Sequence, residues 1–154
     1  MKLLFISLGC DKNLVDSEEM LGMLAADGHE IVDDEDEAEV IIVNTCCFIG
    51  DAKEESVNTI LEMAEKKKAG TCKVLIVTGC MAQRYKKEIS EEIPEVDAIL
   101  GTTSYGEISK AVNEAQAGRH FEEYKSIDFL PDISGKRMLT TGGHFAYLKI
   151  AEGC

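Results

Sequence analysis

The sequence has no long hydrophobic run, little basic charge and no two cysteines spaced as C-x-x-C. Each absence excludes something. Its apolar stretches fall far short of the ~20 residues that cross a bilayer, so no membrane partner is expected. The opening MKLLFISLGCDKN is like a secretory leader only at first sight. Its apolar run is short, and Asp11 and Lys12 interrupt it before any small-residue cleavage site. The cytoplasm is therefore the expected compartment, where the 6 cysteines are ligands, nucleophiles or core residues rather than disulfides. With 16 basic against 29 acidic residues, the chain carries a net charge of −13. Such a surface repels phosphate backbones, so no direct nucleic-acid binding is expected of this segment. The missing C-x-x-C pairs weigh against a structural zinc knuckle.

What is present is a pattern used three times. Val40–Phe48 reads VIIVNTCCF, Leu3–Cys10 reads LLFISLGC and Val74–Cys80 reads VLIVTGC. Each is a short apolar run, rich in β-branched residues in the two later cases, which suits a strand buried on both faces of a parallel sheet. Each run is followed within a few residues by a cysteine. No other internal repeat and no low-complexity tract occurs.

In chain order, a strand over Lys2–Leu8 leads through Gly9-Cys10-Asp11-Lys12-Asn13 into a helix running to about Asp27. That helix has Leu14, Leu21, Leu24 and Ala25 on one face, with Asp16, Glu18 and Glu19 near its start, where carboxylates suit the dipole. His29–Val32 reads as an edge strand, and the acidic run from Asp33 to Glu39 as a solvated connection. After the central strand, Asp51 and Glu54 form a capping-box pattern. Val57, Ile60, Leu61 and Ala64 then give a helical stripe that ends in Lys66, Lys67 and Lys68. Lys73–Thr78 is the next strand. Cys80 opens a helix bearing Tyr85, Ile89 and Ile93 that Pro94 stops. Val96–Leu100 is a fifth strand, and Ser104 with Glu107 caps a last helix carrying Ile108, Ala111, Val112 and Ala115. The pattern predicts an α/β fold: a flavodoxin-like open parallel sheet of five strands, ordered 2-1-3-4-5, with helices on both faces. Residues 1–118 are expected to form this domain, 119–144 a linker, and 145–154, with the strand-like FAYLKI, the start of a second domain cut short.

On that fold, strands one, three and four are neighbours. Their carboxyl ends span only about 10 Å, so Cys10, Cys46 and Cys80 meet at one rim. Three thiolates suit zinc or an iron–sulfur cluster. The bland alternative is that cysteine is among the most buried residue types and fills cores. Cys47 and Cys72 are read that way. Asn13 and Asn44 lie near the rim, where an asparagine is more often a helix cap. His29, His120 and His144 show no ligand spacing.

Four motifs carry a resemblance. LGCDKNLVDSE (Leu8–Glu18), NTCCFI (Asn44–Ile49), TGCMAQRY (Thr78–Tyr85) and AYLKIAEGC (Ala146–Cys154) together resemble the methylthiotransferase family of radical S-adenosylmethionine enzymes. The first motif is similar to the branch acting on ribosomal protein S12; the tRNA-modifying branch typically has Gln-Met-Asn there. The resemblance implies that Cys10, Cys46 and Cys80 bind a first [4Fe–4S] cluster whose open iron carries the transferred sulfur. It implies that Cys154 is the first cysteine of a CxxxCxxC motif holding a second [4Fe–4S] cluster, which cleaves S-adenosylmethionine. The implied reaction is methylthiolation of an aspartate of ribosomal protein S12; no sulfur donor is implied. Because the sequence stops at Cys154, the segment alone is expected to bind the first cluster and not to catalyse. The rival readings are a tRNA methylthiotransferase, a non-enzymatic flavodoxin-like carrier and a zinc-bound interaction domain.

Overall fold

The central strands set the architecture. β3 (Val40–Thr45) and β4 (Val74–Gly79) are buried at every position, as β-branched runs with helices on both sides should be. Their side chains alternate between two cores. Ile41, Val43, Leu75 and Val77 face one core with Ile60, Met63 and Ile89, while Val40, Ile42, Val74 and Ile76 face the other with Met20, Leu24, Ile108 and Val112. The structure is a computed structural model, and it describes residues 1–132 and 135–152.

β1 (Lys2–Ser7) leads into α1 (Asp11–Ala26), and β2 (Glu30–Ile31) follows. After β3 come α2 (Gly50–Lys68), β4, α3 (Cys80–Arg84), α4 (Lys86–Glu92), β5 (Ala98–Gly101), a 3-10 turn (Tyr105–Glu107), α5 (Ile108–Gln116) and β6 (Phe121–Glu123). All strand pairs are parallel, in the order β2-β1-β3-β4-β5-β6. α1 and α5 cover one face; α2, α3 and α4 cover the other.

The expected α/β sheet is thus present with its strand order, but it has six strands instead of five. Phe121–Glu123 pairs alongside Ala98–Leu100. The stretch FEE offers one apolar residue and no run, because an edge strand is half solvated. Phe145–Ile150 pairs with no strand among the described residues; FAYLKI has strand-like composition without a ladder. The capping expectations also differ. α2 starts after Ile49 with no side-chain cap, and the Ser104 hydroxyl accepts from the Lys125 N–H instead of capping its own turn. The helix expected from Cys80 is broken at Tyr85 into two short pieces. The acidic run makes a turn in which the Asp36 N–H donates to the Asp34 carboxylate at 2.8 Å. The Lys66–Lys68 run is consumed by ion pairs to Asp36, Asp97, Glu65 and Glu95.

Candidate metal centre at the sheet rim

The parallel register fixes where the loops emerge. Ser7 pairs with Asn44 and Asn44 with Thr78, so β1, β3 and β4 end level with one another. Cys10 precedes the first residue of α1, Cys46 directly follows β3, and Cys80 directly follows β4. Cys10 is exposed, Cys46 buried and Cys80 half-buried. All three line one cavity of about 530 Å³, together with Gly9, Phe48, Ile49 and Ala52. Its wall is mostly apolar, and Phe48 and Ile49 form an exposed lip.

A polar lattice beneath the rim sets these loops. The Asn13 amide donates to the Leu8 and Thr45 carbonyls, each at 3.0 Å, and the Cys80 thiol donates to Asn13 Oδ1 at 3.8 Å. Asn44 donates to the Asn13 carbonyl at 3.0 Å and to Ser17 Oγ at 2.9 Å. Thr45 Oγ1 donates to the Thr78 carbonyl at 2.6 Å. The Ser56 hydroxyl accepts from Cys46 N–H at 3.0 Å and donates to the Cys46 carbonyl at 2.8 Å. Asn13, Ser17, Asn44, Thr45, Ser56 and Thr78 are all buried, and burial of such groups is tolerated only because they are paired. Asn13 and Asn44 are therefore loop braces and not caps. The signal in the sequence is Asn44-Thr45, two polar residues finishing an otherwise apolar buried strand.

Glycine keeps the loops close. Gly9 and Gly79 have φ of +99° and +97°, and a Cβ on Gly9 would lie 2.6 Å from Cys46 Cβ and 3.0 Å from Cys46 Sγ. At Gly79 a Cβ would lie 2.3 Å from Asn44 Oδ1. Only glycine combines that dihedral with that proximity.

The other cysteines lie elsewhere. Cys72 is buried, and its thiol donates to the Val74 carbonyl at 3.0 Å; burial pushes it above the ordinary thiol range. Cys47 packs partly buried against the α2–α4 core. Cys154 lies outside the described residues. Among the described residues, no three His, Cys, Asp or Glu side chains stand together as ligands of a single metal ion. The three thiols line one cavity. Thiolates are the donor type that an iron–sulfur cluster takes, and structural zinc takes four close ligands.

Asp16 and Glu18 differ most from the sequence expectation. They are buried, at 3% and 0% exposed, where helix-start carboxylates interacting with the dipole would be solvated. Burial pushes the Glu18 carboxyl up, but the Thr140 N–H and hydroxyl and the Arg137 guanidinium bring it below the ordinary carboxylate range. Asp16 binds Lys12 at 2.8 Å and Lys149 at 2.5 Å.

Residues 2–101 match a known family, described as "Uncharacterized protein family UPF0004". The chain belongs to that family. Curated relatives from Lachnoclostridium phytofermentans, Symbiobacterium thermophilum and Clostridioides difficile are 61%, 49% and 49% identical to it. Each alignment covers 100% of this chain and 35%, 32% and 35% of the relative, respectively. All three carry the name "Ribosomal protein uS12 methylthiotransferase RimO". The chain spans about a third of the length of these relatives. The likeness to the ribosomal-protein branch, read from the first motif, is thus found along the whole chain. Within the UPF0004 match lie all three rim cysteines; Cys154 lies beyond it.

Proposed function

We propose that this chain is the amino-terminal part of a cytoplasmic methylthiotransferase acting on an aspartate of ribosomal protein S12, and that Cys10, Cys46 and Cys80 hold a [4Fe–4S] cluster. The observation that carries the reading is the meeting of these three thiols on one apolar-walled cavity at the carboxyl ends of adjacent strands. Support comes from the relatives' shared name and from the motif order. On this reading Cys154 belongs to a second cluster, which binds S-adenosylmethionine.

A four-iron cluster held by three protein thiolates supplies an iron left open to a sulfur ligand. The chain's own residues do the rest. Gly9 and Gly79 allow the loops to close around the cavity, and their lack of side chain leaves backbone near the sulfurs. Asn13 and Thr102 face Cys80 Sγ at 3.8 and 3.9 Å and fix its direction. Phe48, Ile49 and Ala52 present apolar surface on the open side and limit water. The net charge of −13 favours a basic protein substrate over RNA.

The test uses a strain lacking the gene for the full-length protein. Ribosomal protein S12 should lose its methylthio mass increment and regain it on complementation, while tRNA methylthiolation is unchanged. Loss of the tRNA modification with S12 intact would overturn the substrate assignment.

A further inference from the structure

Residues 136–152 lie along α1 in a way that the sequence did not foreshadow. The Met138 N–H donates to the Glu18 carbonyl at 2.9 Å. The Glu18 carboxylate accepts from the Thr140 N–H at 2.6 Å, the Thr140 hydroxyl at 2.8 Å and Arg137 Nε at 2.7 Å. Further along, Lys149 Nζ reaches Asp16 and Glu152, each at 2.5 Å, and Tyr105 OH at 3.3 Å, while Lys12 reaches Asp16 and Glu152 from the other side. Two lysines and two carboxylates form a closed, charge-neutral set, which is how buried charges are tolerated.

An independent observation lies between the anchors. Gly22 occupies the interior of α1, where glycine is a poor choice. A Cβ there would stand 1.8 Å from the Lys136 carbonyl oxygen and 3.3 Å from Arg137 Cα. The strap crosses the helix at the one position without a side chain. Its last described residue, Glu152, then lines a cavity of about 370 Å³ with Lys12, Cys80, Gln83 and Thr102.

We propose that residues 136–152 form a latch, seated on Gly22 and anchored by Glu18 and Asp16, that walls one side of the Cys80 thiol. The latch is a property of this chain's own contacts and does not depend on what the thiols hold. Asp16, Glu18 and Gly22 are positioning residues, acting on Cys80 through the strap.

Gly22→Ala separates this role from simple stability. Alanine favours the helix itself, so a glycine with no seat would give a protein as stable or more so. In the full-length protein, the latch predicts instead that amide exchange across 136–150 rises about tenfold in Gly22→Ala while β3 stays protected. In cofactor-free protein, the rate of Cys80 alkylation by N-ethylmaleimide, measured relative to Cys10, should rise several-fold. The paired variant Glu18→Gln/Arg137→Gln removes both charges together, leaves neither unpaired, and should act alike. Fast exchange of 136–150 in the wild type, unchanged exchange in Gly22→Ala, or an unchanged Cys80-to-Cys10 ratio would each overturn the latch.

Discussion

Asn13 and Thr45, 32 positions apart, are joined by a buried hydrogen bond of 3.0 Å from the Asn13 amide to the Thr45 carbonyl. The same amide holds the Leu8 carbonyl, so one side chain ties the loop before Cys10 to the end of β3 before Cys46. Asn13→Ala should orphan both carbonyls and destabilise the protein by about 2–4 kcal/mol, read as a lower urea midpoint. Asn13→Asp should be worse than Asn13→Ala, because a carboxylate would face two carbonyls with nothing to donate. The reverse order would show that the two bonds carry little.

Gly79→Ala is expected to cost more than about 1 kcal/mol, since the position needs both positive φ and empty space. Its Cβ would collide with Asn44 Oδ1 and the Thr45 carbonyl, so the damage should spread to the Cys46 loop. Urea denaturation gives the stability, and iron uptake at equal folded fraction should fall too. Wild-type iron uptake in a fully folded Gly79→Ala protein would show that the close approach is dispensable.

The central sheet should dominate stability. Ile42, fully buried in β3 on the α1–α5 side, should cost about 2–5 kcal/mol as Ile42→Ala. Leu61, 46% exposed although it falls within the helical stripe of α2, should cost little as Leu61→Ala. Comparable losses at the two positions would contradict the packing described.

Acid should release the strap. The folded Glu18 carboxyl lies below its ordinary value of 4.5, so its stabilisation is complete above that pH and is lost as pH falls through the lower folded value. Amide exchange over 136–142 should therefore rise below pH 4.5 faster than the intrinsic rate dictates, and Glu18→Gln should lack that step. An identical acid profile in the two proteins would remove Glu18 as the titrating group.

Much of the fold was legible because buried parallel strands leave a strong imprint. VIIV and VLIV read as strands buried on both faces, and with LLFISL each is followed by a cysteine, which puts three thiols at one rim. β6 left no such imprint, since an edge strand of Phe121, Glu122 and Glu123 needs only one apolar contact face. Asp16 and Glu18 are buried although local rules place helix-start carboxylates in solvent. Their partners, Arg137, Thr140 and Lys149, lie at the far end of the chain and share no local pattern with them. Gly22 likewise carries no local signal, because the Lys136 carbonyl above it comes from a distant part of the chain. Asn13 and Asn44 were visible as residues near the thiols, but nothing local distinguishes a brace from a cap.

The most direct test of the central claim is anaerobic reconstitution of this chain with iron and sulfide, followed by metal and sulfide analysis. The account predicts about four irons and four sulfides per chain with broad visible absorption, reduced well below that in Cys10→Ala, Cys46→Ala and Cys80→Ala and unchanged in Cys72→Ala. Full iron content and unaltered absorption in Cys46→Ala, or stoichiometric zinc in place of iron, would contradict it.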